Sequence, residues 1–112
     1  MVKVKRTGEV ISKETKIARD LYSKTIGLMF KKEMSGFDGL LIEACNSIHT
    51  FFCRFDLDIL FLSKENKVVR IYRSLRPWRM TTLSFKTTKV LELNGGTLTE
   101  DLKIGDEVII DV

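Results

Sequence analysis

The sequence contains no glutamine, one proline, one histidine and no apolar run long enough to span a membrane. Its longest apolar runs, such as ILFL at 59–62, have the length of a strand, whereas a membrane helix needs roughly 20 apolar residues. The basic N-terminal stretch MVKVKRTGEV is not followed by an apolar segment, so it does not resemble a signal peptide. We therefore expect a cytoplasmic protein. Abundant Lys, Arg and Glu without glutamine are also typical of thermophile proteins.

Only two cysteines are present, Cys45 and Cys53, and a reducing cytoplasm argues against a disulfide between them. In an extended strand their Cα atoms would lie on the order of 25 Å apart, which is far beyond bridging distance. No glycine or proline lies between them to reverse the chain. We expect two thiols rather than a disulfide.

Charge is distributed unevenly along the chain, whose net charge is +4. Residues 64–89 contain eight basic side chains and one acidic side chain, whereas residues 90–112 contain one basic and six acidic side chains. This asymmetry predicts either an anionic partner for the middle segment or ion pairs between the two segments.

Short apolar and β-branched runs separated by turn residues recur along the chain, and its 112 residues suit a single domain, 1–112. The clearest runs flank the polar residues 64–67 and predict a β-hairpin over 58–72. Further strands are predicted around Val2 and Val4 and over 10–18, 40–43, 89–93 and 108–112.

Helical signals are few. One short helix is predicted from Asp20 or Ser23 to about Phe30, and another from Thr97 or Thr99 to about Lys103. Residues 73–86 show no period and predict a long loop. The fold class predicted is mainly β (a β-rich α+β domain), a small barrel-like or sandwich domain with one or two short helices.

Seven short motifs occur in an order that resembles a known prokaryotic family, domain of unknown function 192. The motifs are GLM at 27–29, GLLI at 39–42, CNSIHTFF at 45–52, DILFL at 58–62, LRPWR at 75–79, VLELNGGT at 90–97 and GD at 105–106. The chain resembles most the subgroup with Ile-His-Thr before the central strand. It departs from the family at Cys53, where methionine is usual, at Leu57, where proline is usual, and at Lys24, where arginine is frequent. The resemblance implies a compact β-rich domain and supplies no activity.

The segment CNSIHTFFC at 45–53 places the only histidine, His49, midway between the two cysteines. A zinc site would need more ligands than this spacing provides. A nucleophile–base pair of Cys45 and His49 would need a kink that brings the two side chains together. We favour a third interpretation, in which both cysteines are small buried hydrophobes and His49 is partly buried. We therefore assign no catalytic residue, no metal and no cofactor.

Two acidic residues occur in apolar strands. Asp58 begins the most apolar run, so we predict that it is buried and accepts hydrogen bonds, fixing how the 45–53 segment enters the hairpin. Glu92 lies inside VLEL, and we expect it to pair with an arginine such as Arg76 or Arg79.

The segment RIYRSLRPWR at 70–79 interleaves four arginines with Tyr72 and Trp78, a pattern compatible with nucleic-acid binding. We favour the alternative in which some of these arginines pair with the acidic C-terminal residues. The function predicted is therefore binding of a small ligand or a protein partner. The predicted site comprises His49, Asp58, Arg76, Trp78 and Glu92. The alternatives are an enzyme that uses Cys45 or His49 and a nucleic-acid-binding module that uses residues 70–79.

Overall fold

Eight β-strands make up the regular structure of residues 1–20 and 33–112, which are the residues that the computed structural model describes. The strands are β1 Val2–Val4, β2 Val10–Ser12, β3 Thr15–Ala18, β4 Gly39–Glu43, β5 Leu57–Leu62, β6 Val68–Leu75, β7 Lys89–Asn94 and β8 Val108–Ile110. The predicted hairpin is confirmed as the antiparallel pair β5–β6.

The strands form two sheets. The smaller has the order β2-β1-β8 and is antiparallel. The larger has the order β3-β4-β7-β5-β6 and is antiparallel except for the parallel pair β3–β4. The prediction of a mainly β fold is confirmed, although the two sheets remain separate and do not close into one barrel.

Neither predicted helix is part of the described structure. The helix predicted to end near Phe30 lies mostly in residues 21–32, outside the described residues. The helix predicted at 97–103 is wrong, because other residues occupy the backbone groups that a first helical turn would use. The guanidinium of Arg73 donates to the carbonyls of Leu98 and Thr99, the acceptors that the first α-helical hydrogen bonds of such a helix would need. In the part of the chain that is described, no helix is long and apolar enough to cross a membrane.

The strand predicted over 10–18 is split between the two sheets by a turn that Asp38 holds. Its carboxylate accepts the N–H groups of Lys13 and Glu14 and the hydroxyl of Ser12. Burial raises the pKa of Asp38, but these hydrogen bonds outweigh it and the net pKa lies below the usual value. Gly39 follows, and a β-carbon there would lie 2.5 Å from the hydroxyl oxygen of Ser12. A side chain at residue 39 would therefore displace Ser12 and disturb the hydrogen bonds that hold this turn.

The larger sheet has apolar side chains on both faces, and β7 lies at its centre. One face packs against the smaller sheet in a cluster that includes Val2, Leu60, Leu91 and Val108. The other face carries Leu40, Leu57, Ile59, Phe61 and Val90, and Cys53 from the 44–56 segment packs onto it. One side of the 44–56 segment therefore packs on the large sheet, and its other side faces solvent.

Candidate binding site

Two irregular segments pair with each other beside the end of the β5–β6 hairpin. Residues 46–50 run antiparallel to 79–84, through a bridge between His49 and Met80 and a hydrogen bond from the N–H of Thr81 to the carbonyl of Ile48. Strand β6 continues to Leu75, so the predicted loop over 73–86 begins three residues too early. Strand β6 contains a bulge: Ile59 pairs with Tyr72 and Leu57 with Leu75, so β6 has one more residue than β5 between these two pairs.

Thr50 holds two turns in place and is only 1% exposed. Its carbonyl accepts the N–H of Cys53 and thereby closes the turn at 50–53. Its hydroxyl donates to the carbonyl of Arg76 at 2.6 Å and accepts the N–H of Arg79 at 2.9 Å. A β-turn often has a hydrogen bond from the N–H of its fourth residue to the carbonyl of its first. In the turn at 76–79 the Thr50 hydroxyl lies between these two groups and bonds to both.

Both turns place an aromatic residue at their third position with a positive φ. Phe52 and Trp78 each have a φ of 63°, a left-handed conformation that favours glycine or asparagine. Such a conformation costs a bulky residue on the order of 1–3 kcal/mol. The two strained backbone positions carry side chains that are 42% and 56% exposed, so neither ring fills the core.

The rings of His49, Phe51, Phe52 and Trp78 form a contiguous group, which we call the aromatic face. The centroids of His49 and Phe51 are 5.0 Å apart, and those of Phe51 and Trp78 are 5.9 Å apart. Phe52 meets Trp78 edge-on at 4.6 Å. His49 Nδ1 accepts the N–H of Phe51 at 3.2 Å, which fixes the imidazole beside the phenyl ring. His49 is exposed, contrary to the expectation that it would be partly buried.

The neighbouring segment 80–87 buries polar side chains and exposes apolar ones, the opposite of what is usual in a loop. Its hydroxyl side chains point inward: Thr81, Ser84 and Thr87 are at most 8% exposed, and the hydroxyl of Thr87 donates to that of Ser84 at 2.7 Å. Its large apolar side chains point outward. Met80, Leu83 and Phe85 are 70%, 57% and 93% exposed. Exposed apolar surface of this kind marks sites of interaction.

The arginines of the 70–79 segment divide into two groups, and Arg54, from the 44–56 segment, joins the second. Arg70 donates to Thr82, and Arg73 to the carbonyls of Leu98 and Thr99. Arg54, Arg76 and Arg79, which we call the flanking arginines, are exposed and make no side-chain hydrogen bond or ion pair with any described residue.

Acidic residues of the C-terminal segment pair instead with the N-terminal strand region. Glu107 pairs with Lys5, and Asp101 and Asp106 pair with Arg6. The hydrogen bonds from Arg6 and the Lys103 N–H lower the pKa of Asp106 to about 2. The predicted pairing of the 70–79 arginines with these carboxylates is wrong for the described residues, and the flanking arginines keep their charge unmatched.

Asp58 is buried and accepts hydrogen bonds, as predicted. Its two carboxylate oxygens accept the N–H of Ser74 at 2.7 Å and of Leu98 at 2.8 Å, and the residue is 1% exposed. The first bond fixes the bulge in β6, and the second fixes the chain after β7. Its contacts are therefore with the hairpin and the 94–98 turn rather than with the 45–53 segment.

Glu92 is 5% exposed, on the face of the large sheet that carries Leu40 and Ile59. Burial raises the pKa of its carboxyl to about 8. The expected pairing with Arg76 or Arg79 is wrong, because no described residue donates a hydrogen bond to Glu92 or forms an ion pair with it. Glu92 is a carboxyl held neutral in the sheet.

The predicted site residues therefore separate into three places. His49, Trp78 and Arg76 lie on or beside the aromatic face, Asp58 lies at the bulge, and Glu92 lies within the sheet. The two cysteines differ. The thiol of Cys45 donates to the carbonyl of Ser47, whereas Cys53 is buried, and burial raises the pKa of its thiol.

The sequence-based prediction missed Phe52, Met80, Leu83 and Phe85. Each is apolar, and an apolar side chain by itself predicts burial. A signal was nevertheless present: Thr81, Ser84 and Thr87 recur every three residues among these apolar positions.

The chain is similar to proteins from several organisms. The family model of domain of unknown function 192, described as "Uncharacterized ACR", matches residues 2–110. The UPF0127 protein PH1112 of Pyrococcus horikoshii is 32% identical over 102 residues, which cover 85% of this chain and 85% of that protein.

Two crystal structures share the fold. A protein of unknown function from Novosphingobium aromaticivorans has a TM-score of 0.74 at 25% identity, covering 86% of this chain and 74% of that one. A Sinorhizobium meliloti 1021 protein, named provisionally as a transcription regulator, has a TM-score of 0.73 at 23% identity over 85% of this chain and 79% of that one. At that identity the second shows the fold alone. The Ile-His-Thr subgroup stays a prediction, whereas the family is shown: the chain belongs to domain of unknown function 192.

Proposed function

We propose that this chain is a single-domain, cytoplasmic binding protein whose ligand combines an apolar or aromatic part with negative charge. The site is the aromatic face together with the flanking arginines. The observation that carries the proposal is the pair Phe52 and Trp78, which are both left-handed, in contact with each other and exposed. Strained backbone conformations cluster at functional sites. Ala44, Asn66 and Ser74 also have a positive φ. Among the described residues, however, only Phe52 and Trp78 combine it with a large exposed ring.

The composition of the surface supports the same conclusion. Trp, Phe, Met and Arg are the residue types enriched where proteins bind partners, and Trp78, Phe52, Met80 and Arg79 supply one of each. The rings offer apolar area with little side-chain entropy to lose, since an aromatic side chain has only two rotatable bonds. The unmatched guanidinium groups select for an anion.

The face is held rigid from beneath. Thr50 and Thr81 are buried, and their hydrogen bonds join the segments 46–53 and 76–81. Cys53 is also buried, and its N–H closes the turn at 50–53. The rings are therefore already positioned before a ligand binds. Little conformational entropy of the protein would be lost on binding, which favours affinity.

The proposal is tested with a small anionic aromatic probe, anilinonaphthalene sulfonate, and its uncharged counterpart phenylnaphthylamine. Trp78 is the only tryptophan in the chain, so its emission reports from the site itself. We expect the sulfonate to quench Trp78 and to bind more weakly when Arg76 and Arg79 are both changed to Gln, while the uncharged probe is unaffected by that change. Phe52→Gly should weaken binding of both probes.

The matched control is Ile104→Ser. Ile104 is 68% exposed, and the neighbouring Gly105 bonds to Val68 at the opposite end of the β5–β6 hairpin from Trp78. It should leave both titrations unchanged, with circular dichroism showing each variant folded. Absence of sulfonate binding, or equal loss in Ile104→Ser and Phe52→Gly, would refute the proposed site.

A further inference from the structure

We infer that the ligand of the aromatic face is single-stranded nucleic acid, an inference that rests on the proposed function and narrows it to one class of anion. Proteins that bind single strands combine exposed rings, on which bases stack, with cations that contact the backbone phosphates. Both elements are present here, and they come from the same two paired segments.

The stacking element consists of rings that are exposed and close together. Trp78 is in contact with Phe51 and Phe52, and His49 lies 5.0 Å from Phe51. Every nucleobase has an aromatic face, so such rings bind bases with little regard to sequence. Phe52 and Trp78 belong to turns whose backbones are held by Thr50, and both side chains are exposed to solvent.

The electrostatic element is an excess of unmatched positive charge. The segments 45–56 and 74–88 contain the flanking arginines and Lys86 but only one carboxylate, Asp56. The acidic C-terminal residues Asp101, Asp106 and Glu107 are paired with Arg6 and Lys5. Glu92 adds no negative charge, because it is buried within the sheet without a cationic partner among the described residues. The described carboxylates therefore do not neutralise the flanking arginines. When bases stack on the rings, the phosphates of the same strand are the anions available to these arginines.

Single strands fit this face better than duplexes. In a duplex the bases are already stacked and paired, so rings on a protein surface have no base faces to contact. The described residues offer no helix for the major groove, and Phe52 and Trp78 belong to turns rather than to a two-stranded ribbon that could enter it. What remains for a duplex is backbone contact by a few arginines, which leaves the exposed rings without a role.

The experiment measures fluorescence anisotropy of labelled oligo(dT) and oligo(U), each of roughly 15 nucleotides, a length that exceeds the site of most single-strand binders. The two oligonucleotides show whether DNA or RNA is preferred. A duplex of the same length, a Glu- and Phe-rich peptide and anionic phosphatidylserine vesicles are tested alongside them. Quenching of Trp78 is recorded in every titration.

We expect both single strands to bind more tightly than the duplex and to quench Trp78. Trp78→Ala should weaken oligonucleotide binding by roughly five- to 150-fold, the range found when one stacking residue is removed. Arg79→Gln should reduce the slope of log affinity against log salt concentration by roughly 0.7, the value for one phosphate contact with a single strand. Lys64→Gln should change neither quantity, since Lys64 is an exposed cation in the turn at the far end of the hairpin.

The outcomes separate this inference from the proposed function. If the sulfonate probe binds at the aromatic face but neither single strand does, the face takes another anion and the inference is wrong while the proposed function stands. Binding of the peptide or the vesicles in preference to the oligonucleotides would likewise overturn the inference alone. Oligonucleotide binding that survives both Trp78→Ala and Phe52→Gly would place the nucleic acid elsewhere and also overturn the inference. If neither probe nor strand binds, both proposals are wrong.

Discussion

The ring of Phe52 packs edge-on against Trp78, with centroids 4.6 Å apart and planes inclined at 61°. The two residues come from turns separated by 26 positions, and one threonine, Thr50, bonds to both turns. The pair is therefore set by tertiary contacts and held in a conformation that neither residue prefers. This arrangement favours a role in binding over a role in packing, and the two roles predict different consequences of substitution.

Replacing Trp78 or Phe52 by glycine should cost less stability than removing a ring of similar burial from an unstrained position. Glycine relieves a left-handed strain of about 1–2 kcal/mol per residue, which offsets much of the cost of losing the ring contact, about 0.5–1.5 kcal/mol, and the buried part of the ring. We expect the free energy of unfolding, measured by urea denaturation, to fall by less than about 2 kcal/mol. Phe51→Gly is the control: Phe51 is half-buried and does not have a positive φ, so its removal should cost about 2 kcal/mol or more. A loss of about 3 kcal/mol in Trp78→Gly would mean that the ring is part of the core.

Asp58→Ala should destabilise the protein clearly. The substitution leaves the N–H groups of Ser74 and Leu98 without their acceptor in a site that is 1% exposed. Each unpaired buried donor costs roughly 1–3 kcal/mol. The melting temperature should therefore fall by several degrees, whereas Asp56→Ala, at an exposed position two residues earlier, should change it little. Equal melting temperatures for the two variants would contradict the structural role.

Much of the large sheet could be predicted from local pattern. Two apolar runs around residues 64–67 specify the β5–β6 hairpin, and a carboxylate at the start of such a run must be hydrogen-bonded if it is buried, as Asp58 is. The partners of Asp58 could not be predicted in the same way. Leu98 lies 40 positions away, and its N–H reaches the carboxylate only because β7 pairs with β5.

The predictions that were wrong failed because contacts between residues distant in the sequence determine the local structure. The sequence around residues 97–103 has helix-start residues, but Arg73, from another part of the chain, donates to the carbonyls of Leu98 and Thr99 that such a helix would use. The turn at 76–79 has proline in the second position, as turns prefer, yet the third position is Trp78 rather than glycine. No local rule places a tryptophan there. Its conformation depends on Thr50, 26 residues before Arg76.

Glu92 should make stability depend on pH in an unusual direction. Burial raises the pKa of its carboxyl to about 8 in the folded protein, from an ordinary value of 4.5. Between these pH values the folded carboxyl is protonated and the unfolded one is ionised, so unfolding releases a proton and stability falls as pH rises from about 4.5 to about 8. The full effect is at most about 5 kcal/mol.

Glu92→Gln is the test of that assignment. Glutamine resembles the protonated carboxyl and does not titrate, so we expect the variant to lose the decline in unfolding free energy between about pH 5 and pH 8. Glu43→Gln, which removes a carboxylate from an exposed pair with Arg19, is the control and should keep the decline. A parent protein whose stability is flat over this pH interval would show that Glu92 is not held neutral.

Arg73 and Arg76 should respond differently to the same substitution, because only Arg73 is used by the fold. Its guanidinium donates to the carbonyls of Leu98 and Thr99 at 2.9 and 2.8 Å, whereas Arg76 is exposed and its side chain contacts no described hydrogen-bond acceptor. Arg73→Gln should lower the free energy of unfolding by about 1 kcal/mol, since the side chain is partly solvated and the carbonyls can bind water instead. Arg76→Gln should leave stability unchanged and weaken oligonucleotide binding, with a shallower salt dependence. Unfolding and binding are measured on both variants. If Arg73→Gln removes binding without loss of stability, and Arg76→Gln changes neither quantity, the expectation is wrong. The phosphate contacts would then lie on the edge strand β6 and not on the aromatic face.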